Sequence, residues 1–178
     1  MRPTNTSPRE IVYEDKYQQI YRVTADFGLY SKQYFVREAG VRAGIIATRG
    51  DSVLLVEQYR FLIDRPALEI PGGKVDDGES PEDAATRECL EETGFRCHNP
   101  RPVIFYHPGL DTTFNPTYLF HSDEINKMVE PLAVNQREVI GYQWVPLSRC
   151  IKMIFDGQIL DAFSIIALLA YQSKIKGQ

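Results

Sequence analysis

The segment that most restricts how this chain can fold is Gly73 to Phe95, GKVDDGESPEDAATRECLEETGF. It joins a glycine-marked turn to a helix whose two ends are both spelled out. Ser80 is placed to act as N-cap, Pro81 suits the first helical position, and Asp83 stands three residues after the cap. Glu82 and Asp83 put negative charge in the first turn, where the helix dipole favours it. Gly94 supplies the left-handed residue that ends such a helix, so the spacing predicts a helix over Pro81 to Thr93.

On that helix Glu88, Glu91 and Glu92 recur at i, i+3 and i+4, within an arc of roughly 100° on one face. Like charges at this spacing cost roughly a few tenths of a kcal/mol per pair. A solvated acidic face is the plain explanation for most such clusters. Here the neighbours favour a positive ligand. Gly72, Gly73 and Gly78 allow backbone to approach it closely, and Arg87 is placed to orient a carboxylate through paired N–H bonds. The donors are all oxygen, the preference of a hard dication such as Mg²⁺ or Mn²⁺.

Gly73, Glu79, Arg87, Glu88, Glu91, Glu92 and Gly94, with apolar Cys89 and Phe95, resemble the complete Nudix hydrolase signature, G-x5-E-x7-R-E-U-x-E-E-x-G-U with U apolar. A chance match in a chain of this length has odds on the order of one in a million. The resemblance implies a hydrolase of diphosphates that link a nucleoside to another group, working with Mg²⁺ or alternatively Mn²⁺. It implies Glu88 and Glu92 as metal ligands, and Glu91 as a further ligand or an aid to water activation. It also implies Arg87 and Glu79 as a supporting ion pair, and the carbonyl of Gly72 as another metal donor.

Upstream, residues 1–8 read as a disordered tail, and Ile11 to Val36 reads as two or three antiparallel strands rich in Tyr, Val and Ile. Such a leading extension resembles the ADP-ribose branch of the family, where it reaches onto a second subunit; the resemblance implies a homodimer. Val41–Thr48 and Ser52–Arg60 form the next strand pair around the turn Arg49-Gly50-Asp51, and the apolar run Val53–Val56 places the second strand centrally in a mixed sheet. That strand ends LLVEQYR, which resembles nucleotide-sugar Nudix enzymes and implies a substrate role for Arg60. Ala67–Pro71 is a short strand that delivers the glycine turn.

Downstream, Pro102–Tyr106 and Pro116–His121 read as strands around a covering loop, Leu110–Asn115. Pro108 and Gly109 resemble the proline that marks the ADP-ribose branch and are assigned to substrate binding. Pro108 stands closer to the box than is usual in that branch, and IPGG departs from its IPAG-like form. His107 reads as structural. Glu130–Asn135 reads as a mobile loop, followed by a strand over Glu138–Val145. An acid ahead of Trp144-Val145-Pro146-Leu147 resembles the family's general base, which implies Glu138 in that role with Glu130 in reserve. The catalytic set is therefore Glu91, Glu138 and Arg87. Ser148–Phe155 is a short helix capped near Leu147-Ser148. Asp161–Tyr171 is a helix that is apolar nearly all round, and the polar end SKIKGQ frays.

Composition enters as an exclusion. The 178 residues are enough for one soluble domain, and a net charge of −4 disfavours a surface that tracks phosphates of nucleic acid. Cys89, Cys97 and Cys150 are an odd number without metal-like spacing and fit a reducing cytoplasm, with Cys89 as a core thiol. The N-terminal segment has no apolar core of a signal peptide, and no apolar run is long enough to span a bilayer. The expected fold is α/β: a Nudix-type mixed sheet sandwiched by helices over 39–178, preceded by an N-terminal antiparallel β extension over 1–38. The expected function is hydrolysis of ADP-ribose or a related nucleoside diphosphate sugar. The competitors are GDP-mannose, nucleoside triphosphates, or a Nudix module that binds nucleotide without catalysis.

Overall fold

The computed structural model describes residues 2–128 and 139–177. In chain order the elements are β1 (Asn5–Thr6), β2 (Glu10–Glu14), β3 (Gln19–Asp26), β4 (Ser31–Glu38), β5 (Arg42–Arg49), β6 (Ser52–Arg60), β7 (Arg65–Glu69), β8 (Gly72–Lys74) and α1 (Pro81–Thr93). There follow β9 (Phe95–His98), β10 (Arg101–Tyr106), β11 (Thr113–Phe114), β12 (Thr117–Ser122), β13 (Glu124–Lys127), β14 (Val139–Pro146), α2 (Leu147–Phe155) and α3 (Ala162–Lys176). They divide into two units, Met1–Val41 with Tyr106–Thr117, and Arg42–Phe105 with Tyr118–Gln178.

The first unit is a five-stranded sheet in the order β1-β3-β4-β11, with β2 also on β3. Its turns follow from local chemistry. The Asp15 carboxylate accepts from the Tyr17 and Gln18 amides at 2.8 and 2.9 Å and closes the β2–β3 turn. Gly28 takes φ +84° between β3 and β4, where Phe27 and Tyr30 stack at 4.9 Å. The tail expected to be disordered contributes a strand instead: Asn5 and Thr6 pair with Asp26 and Ala25. The reason lies outside the tail, in the row of backbone groups that β3 would otherwise leave unpaired. The covering loop likewise holds a strand, with Thr113 and Phe114 parallel to Arg37 and Glu38 of β4.

The second unit is built on a seven-stranded sheet, β10-β12-β5-β6-β14, with β7 on β6 and β8 on β5. Val53, Leu54, Leu55 and Val56 are all fully buried, as a strand covered on both faces requires. Helix α1 meets this sheet with small side chains: Ala84, Ala85 and Cys89 pack against Ala43, Ile45, Ala47 and Leu54. Such a contact surface lets the helix backbone lie close to the strands. Cys89, Cys97 and Cys150 are free and buried. No helix is long and apolar enough to cross a membrane among the described residues.

Both C-terminal helices depart from expectation. Helix α2 begins at Leu147 without a side-chain cap; the Leu147 amide donates instead to the Asp51 carbonyl at 2.9 Å. Helix α3 buries a stripe, Phe163, Ser164, Ala167 and Leu168, and leaves Ile165, Ile166 and Leu169 half-buried. Its polar end remains helical through Lys176, tied down where Lys174 Nζ donates to the Pro102 carbonyl at 2.7 Å.

Beside α3, His121 carries a pH consequence. Arg101 Nη2 lies 3.2 Å from Nδ1 and Thr48 Oγ1 lies 2.9 Å from Nε2. A guanidinium can only donate, so Nδ1 accepts and the proton sits on Nε2. Burial, reinforced by the Arg101 charge, lowers this imidazole from 6.5 to about 4. The native state thus favours the neutral ring. Its stabilising contribution is complete above pH 6.5 and is lost as pH falls towards 4. Arg101→Ala is expected to raise the native titration midpoint of His121, followed through its ring protons by NMR; an unchanged midpoint would remove Arg101 as a cause.

Candidate active site

The three glutamates of α1 are graded by the same stripe that packs the helix. Ala85, Cys89 and Glu92 are spaced at four and three residues, so at about 100° per residue Glu92 continues the buried line. Glu88 stands on the flank and Glu91 beyond it. The Glu92 residue is 9% exposed, while the side chains of Glu88 and Glu91 are 17% and 48% exposed. The helix itself forms as its sequence directs. Ser80 accepts from the Asp83 amide at 3.1 Å, and Gly94 ends the helix at φ +74°.

Arg87 is the hub of the exposed side. Its Nε and Nη2 donate to the two oxygens of Glu79 at 2.8 and 2.9 Å, and Nη1 donates to Glu88 at 2.9 Å and Glu91 at 3.4 Å. Nη2 also reaches the Lys74 carbonyl at 3.0 Å, anchoring the helix to β8. The hydrogen bond from Arg87 holds Glu79 below the usual carboxylate range, and Glu79 in turn raises the guanidinium. Part of the repulsion among the box acids is therefore offset by the chain's own cation. Arg87→Ala leaves three carboxylates without it and is expected to destabilise the fold by about 2 kcal/mol in urea melts. Lysine at this position is expected to recover less than half of that loss, because one ammonium cannot reproduce the fork.

Glu92 is held differently. Gln58 Nε2 donates to its Oε1 at 2.5 Å, and the Gly72 amide donates to Oε2 at 3.1 Å. Burial, with a contribution from the Glu88 charge, raises the Glu92 carboxyl to about 7. Glu88 is raised for the same first reason, loss of water, against the opposing pull of Arg87. Gly73 faces Glu88 directly: a Cβ there would run into its carboxylate. Arg60 makes a forked pair with Glu69, Nε to Oε1 at 2.6 Å and Nη2 to Oε2 at 2.5 Å, and the Glu69 charge also acts on Glu92.

The structure thus gathers Gly72, Arg87, Glu88, Glu91, Glu92 and, through Glu69, Arg60 in one unit. Gly72 is linked to the carboxylates through its amide. Pro108 and Gly109 belong to the other unit, where Gly109 lines a recess of about 360 Å³ with Tyr21, Tyr34, His107 and Phe114. Glu130 and Glu138 lie outside the described residues. Gln58 and Glu69, buried at 4% and 6% exposure, were not singled out in the sequence. Their signal was available for Gln58: alternation along β6 puts it on the face of Leu54 and Val56, where a polar side chain needs a partner.

The donor set suits a hard dication, since desolvated carboxylates that resist ionisation gain most from one. Among the described residues, no three His, Cys, Asp or Glu side chains already converge as a metal cage. In this conformation Glu88 and Glu91 turn to Arg87, and Glu92 turns to Gln58 and Gly72. The residues fit the ion by chemistry.

The chain is 25% identical over 171 residues to the ADP-ribose pyrophosphatase of Bacillus subtilis, covering 95% of this chain and 92% of that protein. It is 29% identical over 139 residues to the CMP-5'-(N-acetyl-N-hydroxy-3-aminopropyl)phosphonate hydrolase of Streptomyces rubellomurinus, covering 78% of this chain and 66% of that one. The crystal structure of an ADP compounds hydrolase superposes with a TM-score of 0.80 at 19% identity, covering 100% of this chain and 96% of the other, which establishes the likeness of fold. The NUDIX domain model matches residues 38–162. The match takes in the acid-bearing helix, its glycine strand and the sheet on which both rest, so the chain belongs to the NUDIX domain family.

Proposed function

We propose that this chain is a metal-dependent pyrophosphohydrolase that converts ADP-ribose, or a related nucleoside diphosphate sugar, to nucleoside monophosphate and sugar phosphate. The observation that carries this reading is the pair of desolvated carboxylates, Glu88 and Glu92, set against the Gly72-Gly73 strand. The choice of substrate leans on the near full-length similarity to a protein named for ADP-ribose.

Glu88 and Glu92 would hold Mg²⁺, with Mn²⁺ as an alternative, and Glu91 and the Gly72 carbonyl would add further donors. The ion, when bound, supplies charge neutralisation and Lewis acidity to the diphosphate. Arg87 keeps Glu79 and Glu88 in place. Arg60, fixed by Glu69, is assigned to a phosphate oxygen; Pro108 and Gly109, which belong to the other unit, keep their assignment to substrate binding. Water attacks one phosphorus and its proton passes to a carboxylate. Glu138 is assigned that role, with Glu91 and Glu130 as alternatives.

The free, buried cysteines favour the cytoplasm. Exposed Ile11, Val12, Tyr13 and Phe35 favour a homodimer in which the extension over residues 1–38 meets a second copy. Nucleic acid and membrane are not assigned as partners. The test is phosphatase-coupled phosphate release from ADP-ribose, GDP-mannose, a CMP conjugate and nucleoside triphosphates, each with Mg²⁺, Mn²⁺ or EDTA. ADP-ribose is expected to give the highest kcat/KM and EDTA to abolish turnover. Preference for triphosphates would overturn the substrate class, and turnover in EDTA would overturn the chemistry.

A further inference from the structure

We propose that Gln58 is a positioning residue for Glu92, fixing the rotation of a metal-binding carboxylate with a neutral donor; this rests on the reading of α1 as a metal-binding helix. Gln58 sits near the end of β6, opposite Ala67 of β7 and Val139 of β14, at 4% exposure. Leu54 and Val56, on the same face, show what this stripe otherwise contains. A buried amide is costly unless it is paired, so the core alone would favour an apolar side chain here.

The partner explains the choice. Gln58 gives one N–H to Oε1 of Glu92 and the Gly72 backbone gives one to Oε2, at 2.5 and 3.1 Å. One donor on each oxygen stops the carboxylate from turning and leaves each oxygen with further lone-pair capacity. The donor must also be uncharged. Glu88 and Glu91 face Arg87, a full positive charge. A second cation beside Glu92 would oppose an incoming dication, whereas an amide orients the carboxylate without competing for it. Glu69 and Glu88 supply further negative charge around Glu92, so the amide serves this corner better than another acid would.

The test uses the full chain and Mn²⁺ alone, with free Mn²⁺ counted by EPR for wild type, Gln58→Met, Gln58→Asn and Glu92→Gln. Met keeps the length and loses the donor; Asn keeps the amide and shortens its reach. Both are expected to weaken Mn²⁺ binding by about 10- to 100-fold. The Mn²⁺ concentration for half-maximal turnover should rise in parallel, while the unfolding midpoint in EDTA stays near wild type for at least one of them. If both variants bind Mn²⁺ within about twofold of wild type while Glu92→Gln loses it, Gln58 only fills the core and the metal-binding reading stands. If wild type takes up no Mn²⁺, with or without ADP-ribose, both fall together.

Discussion

Glu92→Gln is expected to lower kcat by about a thousandfold, and in EDTA to remove a pH-dependent weakness of the fold. The first effect is the loss of an anionic donor from a site whose work is charge neutralisation, worth several kcal/mol of barrier, on the order of 10³ in rate. The second follows from burial. Without metal the native carboxyl titrates at about 7, against an ordinary value of 4.5. Below the ordinary value the group is neutral in both folded and unfolded chains and costs nothing. As pH rises the unfolded chain ionises first, so stability falls until the native group ionises too, and falls no further above that. The full shift corresponds to about 3 kcal/mol. Gln cannot ionise, so urea melts in EDTA should lose this slope between pH 4.5 and 7. Its amide has one acceptor for two donors, Gln58 and Gly72, which limits the gain at pH 8 to about 1–2 kcal/mol. Parallel pH profiles for the two proteins would mean that the carboxylate is not desolvated in solution.

Gly72→Ala is expected to be the most damaging substitution to the fold at this site. A Cβ at Gly72 would lie 2.6 Å from the Ala43 carbonyl oxygen, 2.7 Å from Gly44 Cα and 2.9 Å from the Phe163 ring. The first two are backbone atoms of β5, which cannot move without shifting a buried central strand. About 3 kcal/mol is expected, or a fall in Tm of roughly 6–12 °C for a chain of this size. Gly73→Ala makes an informative contrast. Its added methyl meets the Glu88 carboxylate, the mobile end of a side chain, so the fold should survive while Mn²⁺ binding weakens. Equal melting of Gly72→Ala and wild type would show that β5 and β8 are less tightly paired than the register Gly44 to Gly72 indicates.

The legible parts were those written in short-range chemistry. Ser80, Pro81 and Gly94 specify α1 to the residue, and the unbroken apolar run of β6 announces a covered strand. The box supplies its own acids, and the pairing of Arg87 with Glu79 is the one that the family resemblance implied. Long-range pairing was less visible. Thr6 against Ala25 and Thr113 against Arg37 depend on edges made elsewhere in the chain, which no local pattern in those residues encodes. Glu69 was hidden for a related reason. Its burial and its partner, Arg60, are set by how β7 folds back on β6. Three glutamates that look equivalent by spacing differ in burial because Ala85 and Cys89 align with only one of them.

Strand β11 arrives at β4 from far downstream, and Asn115 then donates to the Gly40 carbonyl at 2.6 Å. The leading sheet is therefore stitched from two distant stretches of chain. Exchanging its first forty or so residues with those of a relative would import strands whose outermost neighbour belongs to the old sequence. A recombinant that carries both stretches together keeps the seam intact, so the natural unit of inheritance here is discontinuous.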